Sequence, residues 1–144
     1  MRKLFLLFVG VLFTMNIFAG EPVKITEFSQ TVWTIAYEEA GVQVLYMQSE
    51  IVKKNNEASN FVIFKIVNNN NNNVKVNITM DITYGVTGDI IAKSGSKVIE
   101  IPANSFAVDA SVSGETKLRV PLNYKRSAQG TPLSEININN ITIE

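Results

Sequence analysis

The amino-acid sequence predicts an all-β fold: one sandwich of about seven to nine antiparallel strands behind an excised leader. Three observations carry this expectation. Val74–Tyr84 (VKVNITMDITY) alternates apolar and polar residues without a fault, which suits a strand buried on one face. Short β-branched and aromatic runs recur at spacings of about ten residues, with turn-forming residues between them. No stretch keeps the apolar period of about 3.6 residues that an amphipathic helix needs.

The chain opens with Arg2 and Lys3 before an apolar run over residues 4–13 (LFLLFVGVLF), which continues weakly to Ala19 and Gly20. A charged start, an apolar run of this length and small residues at its end describe a secretory signal peptide. Residues 1–20 are therefore read as a removable leader, cleaved after Ala19 or Gly20, and residues 21–144 as one β-sandwich domain. A bilayer span takes ~20 apolar residues. The leader stops short of that, and the best later run, residues 61–67 (FVIFKIV), carries Lys65. No membrane span is expected after cleavage, and the expected location is the periplasm, the cell surface or the medium.

Residues 32–37 (VWTIAY) and Val42–Val52 (VQVLYMQSEIV) flank residues 38–41, a turn candidate. Trp33 is the one tryptophan and is expected in the core or between the sheets. Residues 60–67 (NFVIFKIV) are dense in β-branched and aromatic side chains and are joined to Val74–Tyr84 by six asparagines, Asn68 to Asn73. Asparagine tolerates left-handed backbone angles and bonds its own backbone, so a β-hairpin with this run at its tip is the economical expectation. Residues 89–92 and 97–101 flank KSGS (93–96), where Gly95 can supply a positive φ. Residues 107–112 alternate weakly. Residues 117–124 place Leu118, Val120, Leu122 and Tyr124 on one face, and Pro121, which has no N–H to donate, marks a sheet edge or bulge. The final run, residues 135–143, slips phase between Ile138 and Ile141, which a bulge at residues 139–140 would repair.

Composition narrows the function. Hydrophobic residues make up 46 % of the 144 and charged residues 18 %, which suits one packed domain rather than a disordered chain. Without Arg2 and Lys3, 11 basic residues face 13 acidic ones and no basic cluster appears, so a nucleic-acid partner is not expected. The chain has neither cysteine nor histidine. Disulfides, a lipid-modified cysteine, Ser-His-Asp and Cys-His nucleophiles and the usual zinc and copper sites are thereby excluded. No phosphate-binding glycine loop is present. Asp81, Asp89, Glu100 and Asp109 are carboxylates that a glycosidase-type pair could draw on, but nothing in their spacing marks them, and Asp81 falls on the wet face of its strand. No catalytic residue, cofactor or metal is expected.

The stretch FVIFKIVNNNNNNVKVNITMDITY and the closing LSEININNITIE resemble small exported immunoglobulin-like β-sandwich proteins of Bacteroidetes-type bacteria. In these an apolar strand ends in Asn, a short turn follows, and a V-x-V strand runs on to an aromatic residue. The resemblance implies an immunoglobulin-like fold and supplies no active site.

The leading expectation is a non-catalytic interaction or structural module at the cell envelope or surface. It would bind another envelope or secreted protein by loops or a sheet edge, the candidate edges being residues 117–124 and the strand ending at Ile143. The first alternative is a carbohydrate-binding module that stacks a glycan on exposed aromatics, with Trp33, Tyr37 and Tyr46 as the candidate ligand-binding rings. The second is a periplasmic inhibitor or chaperone of secreted subunits.

Overall fold

The computed structural model describes residues 21–52, 55–88, 90–109, 111–112, 116–124 and 130–144, so the leader expected over residues 1–20 lies outside the described residues. The chain forms β1 (Val23–Ile25), β2 (Thr34–Glu39), β3 (Val42–Val52), β4 (Ala58–Asn68), β5 (Val74–Tyr84) and β6 (Ile90–Ile101). It continues through β7 (Ser105–Val108), β8 (Ser111–Val112), β9 (Thr116–Lys117), β10 (Arg119–Pro121), β11 (Asn123–Tyr124) and β12 (Thr131–Ile143). No helix occurs among the described residues, and none is therefore long and apolar enough to cross a membrane.

Two five-stranded antiparallel sheets make the sandwich. Sheet one runs β6-β5-β12-β1, with β11 also on β12; sheet two runs β2-β3-β4, with β10 and β7 placed one after the other along the outer flank of β4. A short β8-β9 ladder stands apart. The period-two pattern explains the core. Val74, Val76, Ile78, Met80 and Tyr84 of β5 are buried, while Val42, Val44 and Tyr46 of β3 and Val62, Phe64 and Ile66 of β4 meet them from sheet two. Each such side chain taken out of water contributes roughly 1.5–3 kcal/mol, which is why alternation alone dictates the layering.

The hairpin between β2 and β3 closes over two residues, Ala40 and Gly41, at φ 50° and 74°. Two successive positive φ values give the turn whose twist matches the strands it joins. The phase slip in the last strand is a bulge as expected: the register of β12 against β5 shifts between Ile138 and Asn140.

Three expectations are corrected. The Asn68–Asn73 segment is not the tip of a hairpin, because β4 belongs to sheet two and β5 to sheet one, and the two strands do not pair. It is an arch between the layers, and both strands are apolar enough to be central in their own sheets. Residues 93–96 are not a turn either. β6 runs unbroken from Ile90 to Ile101 and absorbs the extra residue in a bulge, its register on β5 shifting from Met80↔Ser94 to Ile78↔Lys97. The strand ending at Ile143 is an edge only in its last part: β5 lies along one flank, β11 and β1 pair with residues 131–132 and 136–138 on the other, and among the described residues no strand pairs with 139–143 on that second flank.

Residues 117–124 do form an edge, and Pro121 is where it changes sheet. Arg119–Pro121 pairs with β4 in sheet two, and Asn123–Tyr124 pairs with β12 in sheet one. Leu122 between them bonds both layers: its N–H donates to the Asn60 carbonyl at 3.0 Å, and its carbonyl accepts from Leu133 N–H at 2.8 Å.

Candidate functional site

The two outer faces of the sandwich differ in chemistry. On sheet one, Lys75, Asn77, Thr79, Asp81 and Thr83 of β5 point outward beside Glu135, Asn137, Asn140 and Thr142 of β12. That face is wet, as the alternation in β5 requires. Sheet two is apolar on its core face and over the middle of its outer face, which Gln43 and Glu38 border at one end. While Val62, Phe64 and Ile66 face the core, Phe61, Ile63 and Val67 of β4 face outward, alongside Leu45 and Met47 of β3. Ile35 of β2 and Phe106 and Val108 of β7 extend the same surface and are 52 %, 59 % and 41 % exposed. Four strands about 4.8 Å apart, each about seven residues long at about 3.3 Å per residue, give this face a footprint of roughly 450 Å². Clustered apolar side chains on a sheet face, here half-buried at Leu45, Met47, Phe61, Ile63 and Val67 and exposed at Ile35, Phe106 and Val108, mark interaction sites in soluble proteins.

One charge stands at the centre of the face. Lys65 lies in register between Leu45 and Val108. Its ammonium sits 4.5 Å from the ring centroid of Phe106 and 5.7 Å from that of Trp33. Trp33 is thus half-buried on the outside of sheet two, not in the core or between the sheets, and it forms one wall of an aromatic clamp on the lysine. Among the described residues no carboxylate is in ion-pair contact with Lys65. Arg119, lower on the same face, is neutralised: its Nη2 and Nε meet the two carboxylate oxygens of Asp109 at 2.8 and 3.0 Å, and its guanidinium lies 5.2 Å from the Phe61 ring centroid.

Three of the edge strands are blunted. β2 is interrupted by a register shift between Ile35 and Tyr37. β6 carries its bulge and, just after it, Lys97, whose ammonium is pushed below the usual lysine range by burial. β10 is broken by Pro121. Bulges, inward-turned charges and proline on an edge strand all discourage the addition of a further strand.

The three rings expected to bind a glycan do not share a surface. Tyr37 and Tyr46 are each only 8 % exposed and belong to the core, whereas Trp33 lies on the outer face. The Tyr37 hydroxyl donates to Glu39 at 2.7 Å, and burial together with that carboxylate raises its pKa far above the usual tyrosine value. Burial, and to a lesser degree the charge of Glu27, raises Tyr46. An open cleft of about 410 Å³ does lie at the corner where β10 changes sheet, with Phe61, Pro121 and Tyr124 as apolar walls and Ser59, Asn60 and Asn123 at its polar rim.

The carboxylates do not assemble. Asp109 is engaged by Arg119, Asp81 sits on the wet face opposite Asn137, Glu100 is exposed opposite Lys75, and Asp89 lies outside the described residues. Among the described residues no three His, Cys, Asp or Glu side chains are grouped to hold a metal ion.

Sequence reasoning missed the outer face of sheet two, although a signal was present. Residues 61–67 are apolar at nearly every position, and a strand that must be apolar on both faces reads as a continuous run, not an alternation. No protein-family model, curated protein or solved structure matches the chain.

Proposed function

We propose that this chain is an exported, non-catalytic, immunoglobulin-like sandwich that docks another envelope or secreted protein on the outer face of sheet two. The observation that supports the reading is the contrast between the two outer faces: that of sheet one is polar along β5 and β12, with Ile91 and Val98 as isolated apolar positions on β6, whereas that of sheet two is built from Phe61, Ile63, Leu45, Met47 and Phe106. Water-exposed apolar surface is unfavourable at roughly 25 cal/mol per Å², and covering the exposed parts of these side chains is the gain that docking supplies. The blunted edges favour a face over the strand addition expected from the sequence.

The test is cross-linking pull-down from the protein's own envelope fraction, comparing the unaltered chain with Ile63→Asp on sheet two and Thr79→Asp on sheet one. The reading expects the captured partner to be lost with Ile63→Asp and kept with Thr79→Asp. Equal capture by both variants contradicts it.

A second reading, glycan binding, is favoured by one observation: the corner cleft joins two aromatic walls to three uncharged hydrogen-bonding side chains, a combination that suits a sugar ring with its apolar face and hydroxyl rim. A glycan array with Asn123→Ala as control tests it, and an array without hits removes it.

A further inference from the structure

We infer that the partner of the sheet-two face is a protein surface presenting one carboxylate ringed by apolar side chains, with Lys65 as its counter-charge; the inference rests on the docking reading above. Lys65 is the one charge at the middle of this sheet face, and among the described residues the contacts of its ammonium there are with the π-faces of Phe106 and Trp33. Those rings hold the side chain in place over the face, so little rotamer freedom remains to be lost when a partner arrives. Covering the face with a purely apolar surface would bury that ammonium without a counter-ion, which is strongly unfavourable. A partner carboxylate removes the penalty and fixes the register of docking.

Two other occupants fit less well. A second copy packed face to face about a twofold axis would bring its own Lys65 towards this one, so that two like charges would be buried together without a counter-ion. A lipid surface would drive the ammonium, fixed at the centre of the patch, into the hydrocarbon instead of leaving it at the headgroup level where cations sit. Arg119 adds no net charge for anionic headgroups, because Asp109 neutralises it.

The full chain in its own cells is treated with a zero-length carbodiimide, which joins an amine to a carboxylate only where the two touch, and adducts are mapped to residue pairs by mass spectrometry. Capture of a protein does not count by itself. Support is an isopeptide link from the Lys65 Nζ to an Asp or Glu of a different protein, flanked by apolar residues. Lys65→Glu should then weaken that protein's binding by about 30-fold or more, with Lys65→Gln as the milder companion. Exchanging the linked acid for lysine should restore binding to Lys65→Glu. If Ile63→Asp abolishes association while Lys65→Glu leaves it unchanged, the docking face stands and the carboxylate inference is overturned. If neither variant matters, both fall. A Lys65 link to a carboxylate of a second copy overturns the inference in favour of self-association. Flotation on phosphatidylethanolamine–phosphatidylglycerol vesicles that Ile63→Asp abolishes overturns it in favour of lipid.

Discussion

The side-chain amide of Asn68 donates to the carbonyl of Pro102 at 3.0 Å, tying the end of β4 in sheet two to the turn that leaves β6 in sheet one. Asn68 is fully buried, and the same amide also reaches the carbonyls of Asn72 at 2.8 Å and Ile101 at 3.2 Å, while its own Oδ1 accepts from Asn70 N–H at 2.9 Å. One side chain thus satisfies backbone groups on both sides of the arch. Its neighbours extend the network: Asn70 donates to Ala40 O at 2.9 Å, and Asn73 Oδ1 accepts from Ala103 N–H at 3.1 Å.

Replacing Asn68 with Ala or Leu removes the four hydrogen bonds that this fully buried side chain makes to the backbone of Asn70, Asn72, Ile101 and Pro102. The expected loss is about 2–3 kcal/mol of unfolding free energy, measured by urea denaturation. Asn71→Ser, at an exposed position whose side chain accepts a hydrogen bond from Asn104, should change stability by less than about 0.5 kcal/mol.

Tyr84 predicts how the fold loosens in alkali. Burial, followed by the neighbouring Tyr124, pushes its pKa from the ordinary 10.0 up to about 12. Its hydroxyl donates to Pro121 O at 3.0 Å, beside the point where the edge strand changes sheet. Above pH 10 the unfolded tyrosine releases its proton and the folded one keeps it, so stability present below pH 10 is lost as pH rises towards 12. This group accounts for about 2–3 kcal/mol over that interval. Tyr84→Phe should cost about 1 kcal/mol at pH 7 and flatten the alkaline slope. An unchanged slope would remove Tyr84 from the account.

Ala40 holds φ 50° without the freedom of glycine. Ala40→Asn or Ala40→Gly should raise stability by about 0.5–1 kcal/mol, read as a higher melting temperature. Gly41→Ala should lower it, because a Cβ built there strikes the Asn70 side chain that closes the arch.

Much of this architecture was legible where burial is one-sided. Val74–Tyr84 shows its inward face residue by residue, the bulge at Asn139 follows from the broken phase between Ile138 and Ile141, and Pro121 announces an edge. Sheet membership was not legible. Six asparagines close a hairpin or an arch equally well, and the choice is made by pairings to β3 and β12 far away in sequence. KSGS similarly reads as a turn, and tertiary pairing along β5 overrides it. The apolar outer face of sheet two was hidden for a related reason: Leu45, Met47 and Ile63 look like core residues in a sequence, and only their register against Val44, Tyr46 and Val62 shows that they point the other way.

The central claim is that the molecule meets its partner on the outer face of sheet two. The most direct measurement places a photo-crosslinking residue, in turn, at Leu45 and Ile63 on that face and at Thr79 and Asn137 on sheet one, and maps adducts formed in the intact cell. Adducts to one common protein from Leu45 and Ile63, with none from Thr79 or Asn137, are the predicted result. Adducts from the sheet-one positions alone, or indifferently from all four, contradict the account.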